Sequence, residues 1–179
     1  SKDDPRMKAV AIRKMAEKEG ITLKAMQERI ELEIVKMDDE IVKKEGRDSS
    51  ETFDQVVDLY KTQPVMSARD SNSVLLQAYS TPGPLAYAAS RMINSAAAKS
   101  VYDPTAGNGM LMIGVDRDKV TVNELDLARA ANLRSLGISE VTEHDASVWS
   151  PTKRFDAMLL NPPFGALESV RNVNGYAIK

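Results

Sequence analysis

Ser100-Val101-Tyr102-Asp103-Pro104-Thr105-Ala106-Gly107-Asn108-Gly109 is a short apolar run that ends in an aspartate and a glycine turn. The run reads as a buried strand over 100–102. Two glycines spaced this way let a backbone approach a ligand closely and expose amide N–H groups to it. A dinucleotide fold wants a third small residue three positions after Gly109, and Met112 stands there. The plain alternative is a tight turn with no ligand.

Further strands are expected at 120–123, 140–143 and 155–160, with helical spacing between them, clearest at 125–136. Strands alternating with helices imply an α/β unit, a parallel sheet with covering helices. The first sixty residues differ in kind. They are dense in Lys and Glu, and apolar residues recur in steps of three and four: Met7, Val10, Ala11 and Met15, then Leu23, Met26, Ile30, Ile34, Met37 and Ile41, then Phe53, Val56, Val57 and Tyr60. The spacing predicts two or three amphipathic helices over 1–62, ending near Gly20 and Gly46, that cap the following domain, with partner or DNA binding as the alternative. Residues 63–73 read as a linker and 74–179 as the α/β domain. The stretch after Phe164, with Gly165, Asn172, Asn174 and Gly175, reads as a loop.

Composition narrows the chemistry. The chain has no cysteine and one histidine, His144, so thiolate and histidine-rich metal sites are excluded and no metal is expected. No membrane span or signal peptide is read, and a cytoplasmic protein is expected. With 24 basic and 26 acidic side chains, no basic stripe marks a phosphate-backbone surface within the chain.

The sharpest signal follows the fourth strand, at Asn161-Pro162-Pro163-Phe164. Two prolines remove two N–H donors and stiffen the strand exit. The lone pair of an exocyclic amine is delocalised into its ring, which makes it a poor nucleophile. The Asn161 side-chain oxygen and the Pro162 carbonyl are acceptors for both amine hydrogens. Phe164 is placed to stack on a base drawn out of its helix. The plain alternative is a proline-stiffened strand exit. Elsewhere, Glu124 at the end of the second strand is placed to accept from ribose hydroxyls. Leu125 is an apolar face for adenine, Asp126 a candidate helix cap, and Asp145 a candidate acceptor for an adenine amine. Thr81 and Pro82 suit the N-cap and first position of a helix whose N-terminus favours a carboxylate.

Taken together, Gln77 to Pro82, Asp103 to Gly109, Asn123 to Asp126, Asp145 and Asn161 to Phe164 resemble N6-adenine DNA methyltransferases. The likeness covers about residues 75–165. It is similar in detail to the methylase-like domain of phage and plasmid methylase–helicase proteins of the strawberry-notch type. The resemblance implies a Rossmann-like, S-adenosylmethionine-dependent sheet with an N-terminal helical segment, and an adenine in DNA as the target. It implies that Tyr79, Ser80, Thr81 and Pro82 border the methionine end of the cofactor, joined by Asp103 and Thr105, and that Gly107 and Gly109 pass beneath it. Glu124 and Leu125 would hold the ribose and adenine, Asp145 the adenine amine, and Asn161 to Phe164 the target base. The family sheet has seven strands and only about four can be placed here, so an incomplete sheet is expected, with further domains such as a helicase in the same polypeptide. The same acceptor motif occurs in RNA guanine-N2 and protein glutamine methyltransferases. A non-catalytic cofactor-binding or architectural module is the remaining alternative.

Overall fold

The computed structural model describes residues 5–45, 49–64, 80–93, 97–162, 171–173 and 176–178. Three helices come first: α1 (Pro5–Glu19), α2 (Leu23–Glu45) and α3 (Ser50–Thr62). Proline suits the first turn of α1. Thr22 Oγ1 accepts from Ala25 N (3.1 Å) at the start of α2, and Ser49 Oγ accepts from Thr52 N (3.0 Å) at the start of α3. These bonds satisfy amides that a helix start leaves open. Helix α4 (Gly83–Met92) precedes strand β1 (Val101–Asp103). Then follow β2 (Val120–Asn123), α5 (Leu127–Ser135), β3 (Glu140–Thr142) and β4 (Ala157–Met158).

All four strands run parallel, in the order β3-β2-β1-β4. Every residue of β1 and β2 is buried, the mark of strands covered on both faces. Their valines share one core with Ile34, Val35 and Val42 of α2, Val56 of α3 and the Met110–Met112 turn. Helices α2 and α3 are therefore part of the same hydrophobic core as the sheet. The linker expected over 63–73 lies, beyond Pro64, outside the described residues.

Three expectations need correcting. On α1, Val10 (50% exposed), Met15 (48%) and Ala11 face outward, while Ile12 and Ala16 are buried. These two pack with Met26, Ile21, Leu23 and Ile30 in a small separate cluster. A helix resting on one neighbour buries only a narrow stripe, and α1 has apolar residues on more than one side, so periodicity could not fix its phase. The fourth strand pairs over two residues rather than six; Phe155 instead stacks on Tyr102, ring centroids 4.8 Å apart. Finally, the supposed loop after Phe164 includes an antiparallel hairpin, β5 (Arg171–Val173) with β6 (Tyr176–Ile178). Reading Gly165, Asn172, Asn174 and Gly175 as loop composition hid these strands, the first of which contains Asn172. No helix among the described residues is long and apolar enough to cross a membrane.

Candidate active site

Parallel pairing sends β1 and β4 out of the sheet at the same end. Tyr102 is in register with Met158, and Leu159 N donates to Tyr102 O (3.0 Å). The glycine loop after Asp103 and the Asn161 segment therefore start side by side. Chain order reverses here, with β2 on one flank of β1 and β4 on the other, and in open parallel sheets such a reversal opens a ligand crevice.

The glycine loop is tied to β2. Ala106 N donates to Asn123 O (3.0 Å) and Gly107 N to Glu124 Oε2 (2.7 Å). Gly107 (φ 57°) and Gly109 (φ 87°) adopt left-handed backbone, where other residues are strained. A Cβ on Gly109 would stand 3.0 Å from Leu133, whereas one on Gly107 would enter open space. The loop thus packs tightly on α5 at one glycine and leaves an open face at the other.

Asp103 is fully buried. Its Oδ1 accepts from Thr105 N (2.9 Å), but Oδ2 has no partner, and neither does the buried Thr105 Oγ1. Burial pushes the Asp103 carboxyl up to about 7, against the Thr105 N–H bond and helped by the Glu124 charge. Buried polar atoms are rarely left unbonded, and two on one loop suit a polar ligand with hydrogens to donate.

The Ser80-Thr81-Pro82 segment reaches this loop, although Tyr79 lies outside the described residues. Thr81 is not the cap of α4. Pro82 occupies that position, its carbonyl accepting from Leu85 N and Ala86 N (3.0 Å each), because Pro84 sits in the first turn and moves the helix start downstream. Freed from capping, Thr81 Oγ1 accepts from Asn161 Nδ2 (2.9 Å). That bond holds the Asn161 amide by its nitrogen and leaves Oδ1 without a hydrogen bond. Pro162 is exposed, while Pro163 and Phe164 lie outside the described residues.

Glu124 spends both oxygens on the backbone, Oε2 on Gly107 N and Oε1 on Asp126 N (2.8 Å), each keeping lone-pair capacity for another donor. Leu125 is exposed. Asp126 caps α5 through Ala128 N and Arg129 N. Asp145 lies in an exposed turn, its Oδ1 accepting from Ser147 N and Oγ. It is flanked by His144, whose ring centroid stands 4.3 Å from that of Trp149.

Asn123, Asn108 and the carboxylates of α2 shape the site, although sequence reading assigned none of them an individual role. Asn123 stitches three strand ends, donating to Pro104 O and His144 O and accepting from His144 N and Thr142 Oγ1. Helix α2 lies along the connection that follows β1. Asn108 Nδ2 donates to Glu28 Oε2 (2.6 Å) and Glu31 Oε2 (2.7 Å), and Asp39 Oδ1 accepts from Gly114 N (2.8 Å). Ser80 Oγ donates to the same Glu31 oxygen (2.6 Å). A visible sign was that Glu28, Glu31 and Asp38 share the three–four spacing of Val35 and Val42, which puts carboxylates on the buried stripe of α2.

Comparison of the chain with protein-family models, curated proteins and solved structures finds no match.

Proposed function

We propose that this chain is the S-adenosylmethionine-binding part of an amino-group methyltransferase, with adenine N6 in DNA as its target. The Asn161–Thr81 hydrogen bond carries the reading. It joins two motif segments eighty positions apart at the strand end that also bears the glycine loop. The parallel strand order β3-β2-β1-β4 and the glycine turn after β1 support a Rossmann-like sheet, of which four strands would be half of a doubly wound fold. The unbonded Asp103 Oδ2 and Thr105 Oγ1, with open space over Gly107, fit a polar cofactor.

On this reading Ser80, Thr81, Asp103, Thr105, Gly107 and Gly109 hold the methionine end, Glu124 and Leu125 the ribose and adenine, and Asp145 the adenine amine. Bound S-adenosylmethionine supplies an electrophilic methyl group on a sulfonium. The protein's own work is positioning and polarisation. Asn161 Oδ1, aimed by the Thr81 bond, and the Pro162 carbonyl accept the two hydrogens of the target amine. The nitrogen is thereby held with its lone pair out of conjugation. Prolines at 162 and 163 keep competing N–H donors away, and Phe164 stacks on the extruded base.

Asn161→Ala in the intact protein is expected to lower methyl transfer by about 100- to 1000-fold, in the range of other single transition-state contacts, with cofactor affinity within about two-fold. Full activity in this variant would remove Asn161 from catalysis. Mass spectrometry of nucleosides and peptides after reaction reads the target. Methylated guanine or glutamine without methyladenine would move the assignment to RNA or protein, and cofactor binding without turnover would favour a non-catalytic module.

A further inference from the structure

Glu31 differs from its neighbours on α2. Glu28 is bonded through both oxygens to Arg129 Nε (3.0 Å each), and Asp39 is paired with Lys43 and Arg117. Among the described residues, no cation lies within ion-pair distance of Glu31. Its Oε2 takes two neutral donors, Ser80 Oγ and Asn108 Nδ2, while Oε1 takes none. Burial raises the Glu31 carboxyl above its usual range, opposed by the Ser80 bond and reinforced by the Glu28 charge. A half-buried carboxylate thus sits without an ion-pair contact where the glycine loop meets the Ser-Thr-Pro segment, balanced only by two neutral donors and the longer-range charge of Arg129. Asp103, on the same loop, is a second and independent sign, being fully buried with one oxygen unbonded.

We infer that Glu31 is a ligand-binding residue: its carboxylate receives the primary ammonium group at the amino-acid end of the cofactor, making α2 a wall of the site. This rests on the S-adenosylmethionine reading. An ammonium brings three donors and a positive charge, which matches the unfilled Oε1 of Glu31. A hard metal ion is a poorer fit, since it wants six or more oxygens and no such cluster exists among the described residues.

Calorimetry on the full chain and Glu31→Gln tests this with three ligands: S-adenosylmethionine, S-adenosylhomocysteine and 5′-methylthioadenosine, which lacks the amino-acid end. The substitution should weaken the first two by about 10- to 100-fold, the scale of a hydrogen bond to a charged group, and leave the third within about two-fold. Retained 5′-methylthioadenosine binding also shows that the pocket is folded. Should Glu31→Gln fail to fold, Glu31→Asp, which keeps the charge but withdraws it by one methylene, should give the same ranking with smaller losses. Equal effects on all three ligands, or none, overturn the inference. Weakening of S-adenosylmethionine alone overturns it as well, because the carboxylate would then face the sulfonium. A wild-type chain that binds none of the three overturns the cofactor reading and this inference with it.

Discussion

Asp38 lies on the buried stripe of α2 with neither carboxylate oxygen bonded, pressed against Gly83 at the start of α4. Burial raises its carboxyl to about 7, above the ordinary unfolded value of about 4. The folded chain therefore holds a proton there that the unfolded chain has released. Stability is full below the unfolded value and is lost as pH rises toward and through 7. Urea denaturation should show the wild type losing on the order of 3 kcal/mol between about pH 5 and pH 8 through this group. Asp38→Asn should flatten that slope, leaving the contribution of Asp103, which titrates in the same window for the same reason. An unchanged slope would mean that Asp38 reaches water in solution. Spacing places Asp38 on the buried stripe of α2, but the unbonded oxygens of Asp38 and Asp103 were not legible, because partners depend on how α2 and the sheet close over each other.

At the scale of elements, the contact between α2 and α5 is buried and polar. Arg129 and Glu28 are both buried, and Asn132 Nδ2 donates to Asn108 Oδ1 (2.9 Å) beside them. Lys24 adds an outer ion pair to Asp126 (3.1 Å). Removing one partner of a buried pair strands the other charge. Arg129→Met should cost about 3–5 kcal/mol in denaturant titrations, and adding Glu28→Gln should recover part of it. Equal stability of the single and double variants would show that Glu28 finds another partner. Helix α5 itself was readable from its spacing and its Asp126 cap. The role of Arg129 was not, since an arginine on a helix next to Asp126 and Asn132 looks like a solvated face.

For the whole molecule, the decisive feature is the common core of helices and sheet. Ile34, Val35, Val42 and Val56 are buried with Val101, Val120 and Val122. Each such side chain contributes about 1.5–3 kcal/mol, so four of them rival the net stability of a typical domain, roughly 5–15 kcal/mol. A chain lacking residues 1–62 should show no cooperative thermal transition by circular dichroism or calorimetry. A sharp transition in that fragment would mean the sheet folds alone. The sequence by itself determined the helices and parallel strands before residue 162, the parallel α/β character and the glycine turn after β1, because these depend on local periodicity and glycine. Only the tertiary structure decided that β1 and β4 are neighbours, that Thr81 is given up to Asn161, and that α2 brings Glu28 and Glu31 to the glycine loop. Each of these joins residues tens of positions apart, and what joins them is burial and hydrogen bonding that no local spacing encodes.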